Sequence, residues 1–114
     1  MNEKNKCIHE EHDCNENKLC PITYSMSMIG GKWRPIIIMR ISQGTNRFGI
    51  LHRSIEGISK NMLTRELRDL ESSEILDRKI FAEIPPRVEY SLTKKGVSLL
   101  PVFNKLNDWA LDYI

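Results

Sequence analysis

At 114 residues with 40% hydrophobic content, the chain is sized for one domain with a modest core and little surplus to stabilise a lone monomer. Its net charge of +2 is too weak to mark a nucleic-acid binder by itself. The longest apolar run, Pro35 to Met39, is far too short to cross a bilayer as a helix, and the polar amino terminus does not resemble a signal peptide, so the expected compartment is the cytoplasm.

Residues 1–18 lack apolar periodicity and are expected to form a mobile polar tail ahead of a domain over 19–114. Lys4, Lys6 and Lys18 against Glu3, Glu10, Glu11, Asp13 and Glu16 leave the first twenty residues at −2 and the remainder at +4. Cys7, Cys14 and Cys20 are odd in number and crowd together, which suits free thiols or a ligand set better than a disulfide framework. Cys7, His9, His12 and Cys14 spell C-x-H-x-x-H-x-C. These are enough soft ligands for tetrahedral zinc or copper, but the spacing matches no familiar finger, and no metal or cofactor is expected.

Pro21 to Ile29 reads as a helix with Cys20 at its N-cap and Pro21 at the first helical position, ended by Gly30-Gly31. A second helix is predicted from near Lys32, carrying Trp33, Ile36, Ile37 and Ile41, with Pro35 tolerated in its first turn and Gly44 closing it. A short third helix follows Phe48, its core side formed by Leu51 and Ile55, with His52 expected at the surface or facing phosphate. Glu56-Gly57-Ile58 turns the chain into Ser59, whose hydroxyl can cap the next helix. Three helices with short links resemble a helix-turn-helix unit.

The helix "SKNMLTRELRDLESS" is the most informative stretch. Leu63, Leu67 and Leu70 recur at spacings of four and three and define a buried stripe. The opposite face holds Asn61, Arg65, Arg68 and Ser72, with Ser59, Lys60 and Thr64 near its amino end, and offers donors suited to base edges and phosphates. A charged helical face is by itself usually just solvated. The following elements raise its significance. Ile75 to Ile84 reads as a strand with Leu76, Arg78, Ile80 and Ala82 on one face and Asp77, Lys79, Phe81 and Glu83 on the other; Pro85-Pro86 turns it back into Val88–Leu92. Helices followed by a hairpin predict a mainly α fold with a small β-hairpin, a winged helix-turn-helix. In it one helix can enter a major groove while Pro85 and Pro86 stiffen a tip presenting Arg87 to the backbone or minor groove.

From Cys20 to about Ala110 the chain resembles the HxlR-type transcriptional regulators, winged-helix proteins related to the MarR group. The resemblance is carried by "CP", "GGKW", "RF", "GIS", "LTRELRDLE", "PPRVEYSLTKKG" and the closing tryptophan. It implies a dimeric DNA-binding regulator of nearby genes. Two positions depart from the pattern. Glu74 stands where glycine usually ends the recognition helix, so a non-glycine residue is expected in the left-handed region at a cost of about 1 kcal/mol. Gly49 replaces a polar residue after "RF", which loosens the third helix.

Thr93 can cap a final helix running to Ile114 with a bend at Pro101, in which Phe103, Leu106, Trp109, Ala110 and Tyr113 make an apolar stripe. A domain this small cannot cover it all, so pairing with Ile22, Met26 and Ile29 of the first helix is expected to build a two-fold homodimer interface on a pseudo-palindromic duplex; folding back on its own core is the competing arrangement. Cys20, at a helix amino terminus, is the candidate sensor for an oxidant, electrophile or other small-molecule inducer, set against simple packing. Glycine-rich phosphate loops, nucleophile elbows and spaced carboxylate clusters are missing, so no enzyme is expected. The alternative reading is a winged-helix protein-interaction module without specific DNA binding.

Overall fold

The computed structural model describes residues 20–114, and these fall into two units that divide after Gly31. The expectations for the amino-terminal tail and for Cys7, His9, His12 and Cys14 lie outside the described residues. In the first unit, α1 spans Pro21–Ile29, with Cys20 as N-cap and Gly30 as C-cap donating its N–H to the Met26 carbonyl.

The second unit begins with α2 (Arg34–Ser42), for which Trp33 is the N-cap. It ends where Gly44 turns left-handed at φ +96°. Next come α3 (Phe48–Ser54) and α4 (Lys60–Ser72). The turn between them is fixed from three sides. Gly57 takes φ +91°, a conformation that costs glycine nothing, and it lies against the Trp33 ring. Ser59 Oγ accepts from the Met62 amide at 3.0 Å, capping α4. His52 Nε2 lies 2.9 Å from the Ile58 carbonyl, so that nitrogen carries the proton and donates. His52 therefore ties the turn down, rather than facing outward as expected, and its ring stacks near Phe48 at 6.4 Å.

The core follows the helical periodicities. Ile37, Ile38 and Ile41 of α2, Leu51 of α3, Ile55 and Ile58 of the turn, and Leu63, Leu67 and Leu70 of α4 are all buried. Each such side chain contributes about 1.5–3 kcal/mol relative to exposure. After α4, Glu74 takes φ 64°, left-handed as expected where the resemblance places glycine, and the Ile75 N–H reaches back to the Leu70 carbonyl at 2.9 Å. That bond satisfies an orphan carbonyl and sends the chain into the wing.

The wing is an antiparallel pair, β1 (Leu76–Phe81) and β2 (Arg87–Leu92), registered from Leu76↔Leu92 to Phe81↔Arg87. It is shorter than predicted, since Ala82 and Glu83 fall outside the strand. Burial does not alternate along β1 either: Leu76 is buried, Asp77 to Ile80 are exposed and Phe81 is half-buried. The outer part of β1 lies away from the core, whereas β2 is half-buried along Arg87–Tyr90. A bridge between Arg47 and Glu89 adds a rudimentary third strand, with the Tyr90 N–H donating to the Asn46 carbonyl at 2.9 Å.

The final segment differs from the single bent helix predicted. Thr93 caps only α5 (Lys94–Val97), accepting from the Gly96 amide at 3.0 Å, and a separate α6 runs Leu100–Leu111 with Pro101 in its first turn. Pro101 lacks an N–H and its ring clashes with the carbonyl four residues back, so the chain breaks instead of bending. Thr93 also donates its hydroxyl to the Glu74 carbonyl at 2.5 Å, and its amide donates to Ile75 at 3.0 Å. Gly96 is buried where a Cβ would overlap the Ile75 carbonyl oxygen and press on Leu92. Gly96→Ala should therefore lower stability by about 1–3 kcal/mol in urea unfolding, because the Ile75 carbonyl is backbone and cannot swing aside. An unchanged midpoint would mean that α5 can shift without loss.

Candidate nucleic-acid interface

The site is built on α4. With Leu63, Leu67 and Leu70 turned inward, Lys60, Asn61, Arg65, Arg68 and Ser72 are exposed on the other side, Ser59 is exposed at the cap, and Thr64 is half-buried. Helical geometry alone places these groups together: positions 61, 65, 68 and 72 lie one turn apart along one face. The helix is also clamped from its flank. Arg34 Nε donates to Glu66 at 2.7 Å and Arg34 Nη2 to Asp69 at 3.0 Å, a fork from the start of α2 onto two successive turns of α4. Glu66 and Asp69 are thus drawn toward the fold, while Lys60, Arg65 and Arg68 stand on the outward face. The sequence places Glu66 and Asp69 at the margin of the buried stripe but gives no sign that Arg34 is their partner.

Arg87 differs from its expected pose. Its guanidinium lies 4.0 Å over the Phe81 ring, with Nη2 3.2 Å from Glu83 and Nε 3.3 Å from Glu89. The Nε contact is an ion pair out of hydrogen-bond alignment, since this buried nitrogen has no hydrogen-bond partner. Arg47 approaches the same Glu89 at 3.5 Å. A cation over an aromatic face between two carboxylates is held along the wing rather than out on its tip. The tip itself exposes Ile84 completely.

Of the residues expected at a subunit interface, Ile22, Met26, Leu106, Trp109 and Tyr113 are more than half exposed, whereas Ile29 and Phe103 are buried and have little surface left to offer a partner. Trp109 and Tyr113 pack at 5.2 Å between ring centroids, a contiguous apolar patch at the end of α6. Cys20 is buried at the amino end of α1, and its side chain makes no cap hydrogen bond. Among the described residues, no group of His, Cys, Asp and Glu is placed to hold a metal ion, and no helix is long and apolar enough to cross a membrane.

A helix-turn-helix in α3 and α4, followed by the β1–β2 hairpin, is a winged helix-turn-helix whose second helix exposes Lys60, Arg65 and Arg68. The chain belongs to the HxlR-like helix-turn-helix family, whose profile matches residues 28–114. It is 42% identical over 95 residues to an uncharacterized HTH-type transcriptional regulator of Methanothermobacter thermautotrophicus, covering 83% of this chain and 72% of that one. Among solved structures it is similar to the redox regulator HypR in its oxidized form, with a TM-score of 0.77, 36% identity, and 83% of this chain and 98% of that one covered. The reduced form of the transcriptional regulator YodB from B. subtilis is similar too, with a TM-score of 0.73, 36% identity, and coverage of 83% and 94%.

Proposed function

We propose that this protein is a cytoplasmic transcriptional regulator that binds a pseudo-palindromic duplex operator as a homodimer. The outward face of α4 carries the reading: Asn61, Arg65 and Arg68 stand exposed in one row, with Lys60, Thr64 and the Ser59 cap at its amino end, on a helix held rigid by Arg34. Asparagine and arginine are the side chains that pair bidentately with adenine and guanine edges, and the lysine and hydroxyls suit phosphates. Arg87 supplies charge to the backbone from the wing, where a phosphate would compete with Glu83 and Glu89. Selection of bound fragments from the source genome tests this directly. Half-sites about 34 Å apart, one helical turn, are the expected product. Recovery of fragments without shared sequence would favour a protein-interaction module.

Dimerisation is assigned to the exposed apolar residues of α1 and to the Leu106, Trp109 and Tyr113 patch of α6. Since Trp109 is already solvent-exposed in the single chain, Trp109→Asp should leave the fold intact and sediment as a monomer, because a carboxylate buried without a partner is costly. A folded variant that stays dimeric would move the interface elsewhere.

Cys20 is the proposed sensor, a reading supported by its N-cap position and by the similarity to HypR, a redox regulator. Oxidant or electrophile should alter operator affinity in the wild type, and Cys20→Ser should abolish that response while the reduced protein binds as before, serine being a good N-cap without thiol chemistry. A Cys20→Ser protein that responds like the wild type would leave the cysteine a packing residue.

A further inference from the structure

Between α4 and the base of the wing lies a recess of about 200 Å³ lined by Thr64, Arg68, Glu71, Arg78 and Tyr90. It arises from the register of the hairpin. Arg78 and Tyr90 are directly paired across β1 and β2, so their side chains leave the sheet on the same side. Arg68 and Glu71, three apart on α4, are neighbours on one helical face. Glu71 draws Arg78 in at 3.6 Å, and both side chains stay substantially exposed. The Tyr90 hydroxyl lies within the electrostatic reach of Arg78, Glu71 and Arg68, and burial holds its pKa above the ordinary tyrosine value. It therefore stays a protonated donor through the physiological range. Two guanidiniums and two hydroxyls thus converge on one open space with a single carboxylate between them.

We propose that this recess is a phosphate seat, in which Arg68, Arg78, Thr64 and Tyr90 grip one backbone phosphate of the duplex read by α4, and Glu71 competes with that phosphate for Arg78. The inference rests on the DNA-binding reading and adds Arg78, Tyr90 and Glu71 to it. Guanidinium forks match phosphate oxygens bidentately. The occupant is placed by position: the recess opens beside the outward face of α4, where the flanking backbone would run if that helix lay in a major groove. Glu71 then sets a threshold, since the singly charged phosphodiester is repelled by the carboxylate that holds Arg78 ready in its absence.

The test compares wild type, Arg78→Gln, Tyr90→Phe and Glu71→Gln on one duplex carrying a selected operator fragment over a range of salt concentrations, with Arg65→Ala as a control outside the recess and thermal melts to verify folding. Arg78→Gln should weaken binding and reduce the slope of log affinity against log salt by about 0.9, the value of one phosphate contact. Tyr90→Phe should weaken binding a few-fold with the slope unchanged. Glu71→Gln should strengthen binding by about two- to tenfold, since it removes a repelled charge and frees Arg78. Opposite signs follow for any cation and anion beside a phosphate, so the slope change in Arg78→Gln together with the loss in Tyr90→Phe is what places the contact in the recess. Unchanged affinity and slope in Arg78→Gln, or weakened binding in Glu71→Gln, with Arg65→Ala impaired as expected, would overturn the seat alone. A wild-type protein that binds no duplex would overturn the seat and the DNA-binding reading together.

Discussion

Leu67→Ala should lower the free energy of unfolding by about 2–5 kcal/mol, the range for removing a fully enclosed leucine and leaving a cavity. Leu67 is 1% exposed and lies midway along the buried stripe of α4 between Leu63 and Leu70, with the isoleucines of α2 and the base of the wing completing the core. A chain of this size has about 5–15 kcal/mol of stability to lose, and each kcal/mol moves the melting temperature of a small domain by about 4–8 °C, so the shift should be large in calorimetry. It should exceed that of Gly96→Ala, which strains a connection instead of emptying the centre. DNA binding below the new midpoint should persist, because the outward residues of α4 are untouched. A Leu67→Ala protein that melts like the wild type would mean that α4 is not anchored through this stripe.

Arg65→Ala and Arg68→Ala should each weaken operator binding by about 1–3 kcal/mol and relax the sequence preference at the base each one meets, if that arginine reads a guanine edge. Both are exposed, and neither belongs to the Arg34 clamp, so melting temperatures should stay within the small range of surface substitutions. Loss of affinity with preserved stability is therefore the signature of a reading residue. Arg68 has a second neighbourhood in the recess beside Arg78 and Tyr90, so its loss should also reduce the salt dependence, whereas Arg65→Ala should act mainly on sequence preference. Equal operator affinity in both variants and the wild type would remove α4 from the contact.

Much of the fold was legible because local chemistry and tertiary demand agree. Leucine spacing, the Ser59 cap, the glycines after α2 and before α4, and the two prolines of the hairpin each act within a few residues of where they stand. Glu74 was legible too, through the resemblance that places glycine at the end of this helix and so implies a left-handed residue there. What escaped the sequence depends on contacts between distant segments. Arg34 meets Glu66 and Asp69 across 32 and 35 positions, and nothing in "GGKWRP" distinguishes that arginine from a solvated one. His52 bonds to a carbonyl six residues away, which composition does not encode. Arg87 was readable as a wing residue but not as one lying back over Phe81, because its pose depends on two carboxylates reaching it. The interruption at Pro101 was legible only as a bend in one helix, whereas the chain separates there into α5 and α6. In the same way, Phe103 and Ile29 look like interface residues by periodicity, and only three-dimensional burial shows that they are largely used up.

Contact between the exposed cations of this domain and the phosphate backbone is what the whole function turns on. The measurement is a titration of the wild-type protein against duplex DNA across salt concentrations. Affinity should fall steeply and linearly on logarithmic axes, with a slope of about −0.9 for each phosphate neutralised. An affinity that is absent at low salt, or that does not respond to salt, would contradict it.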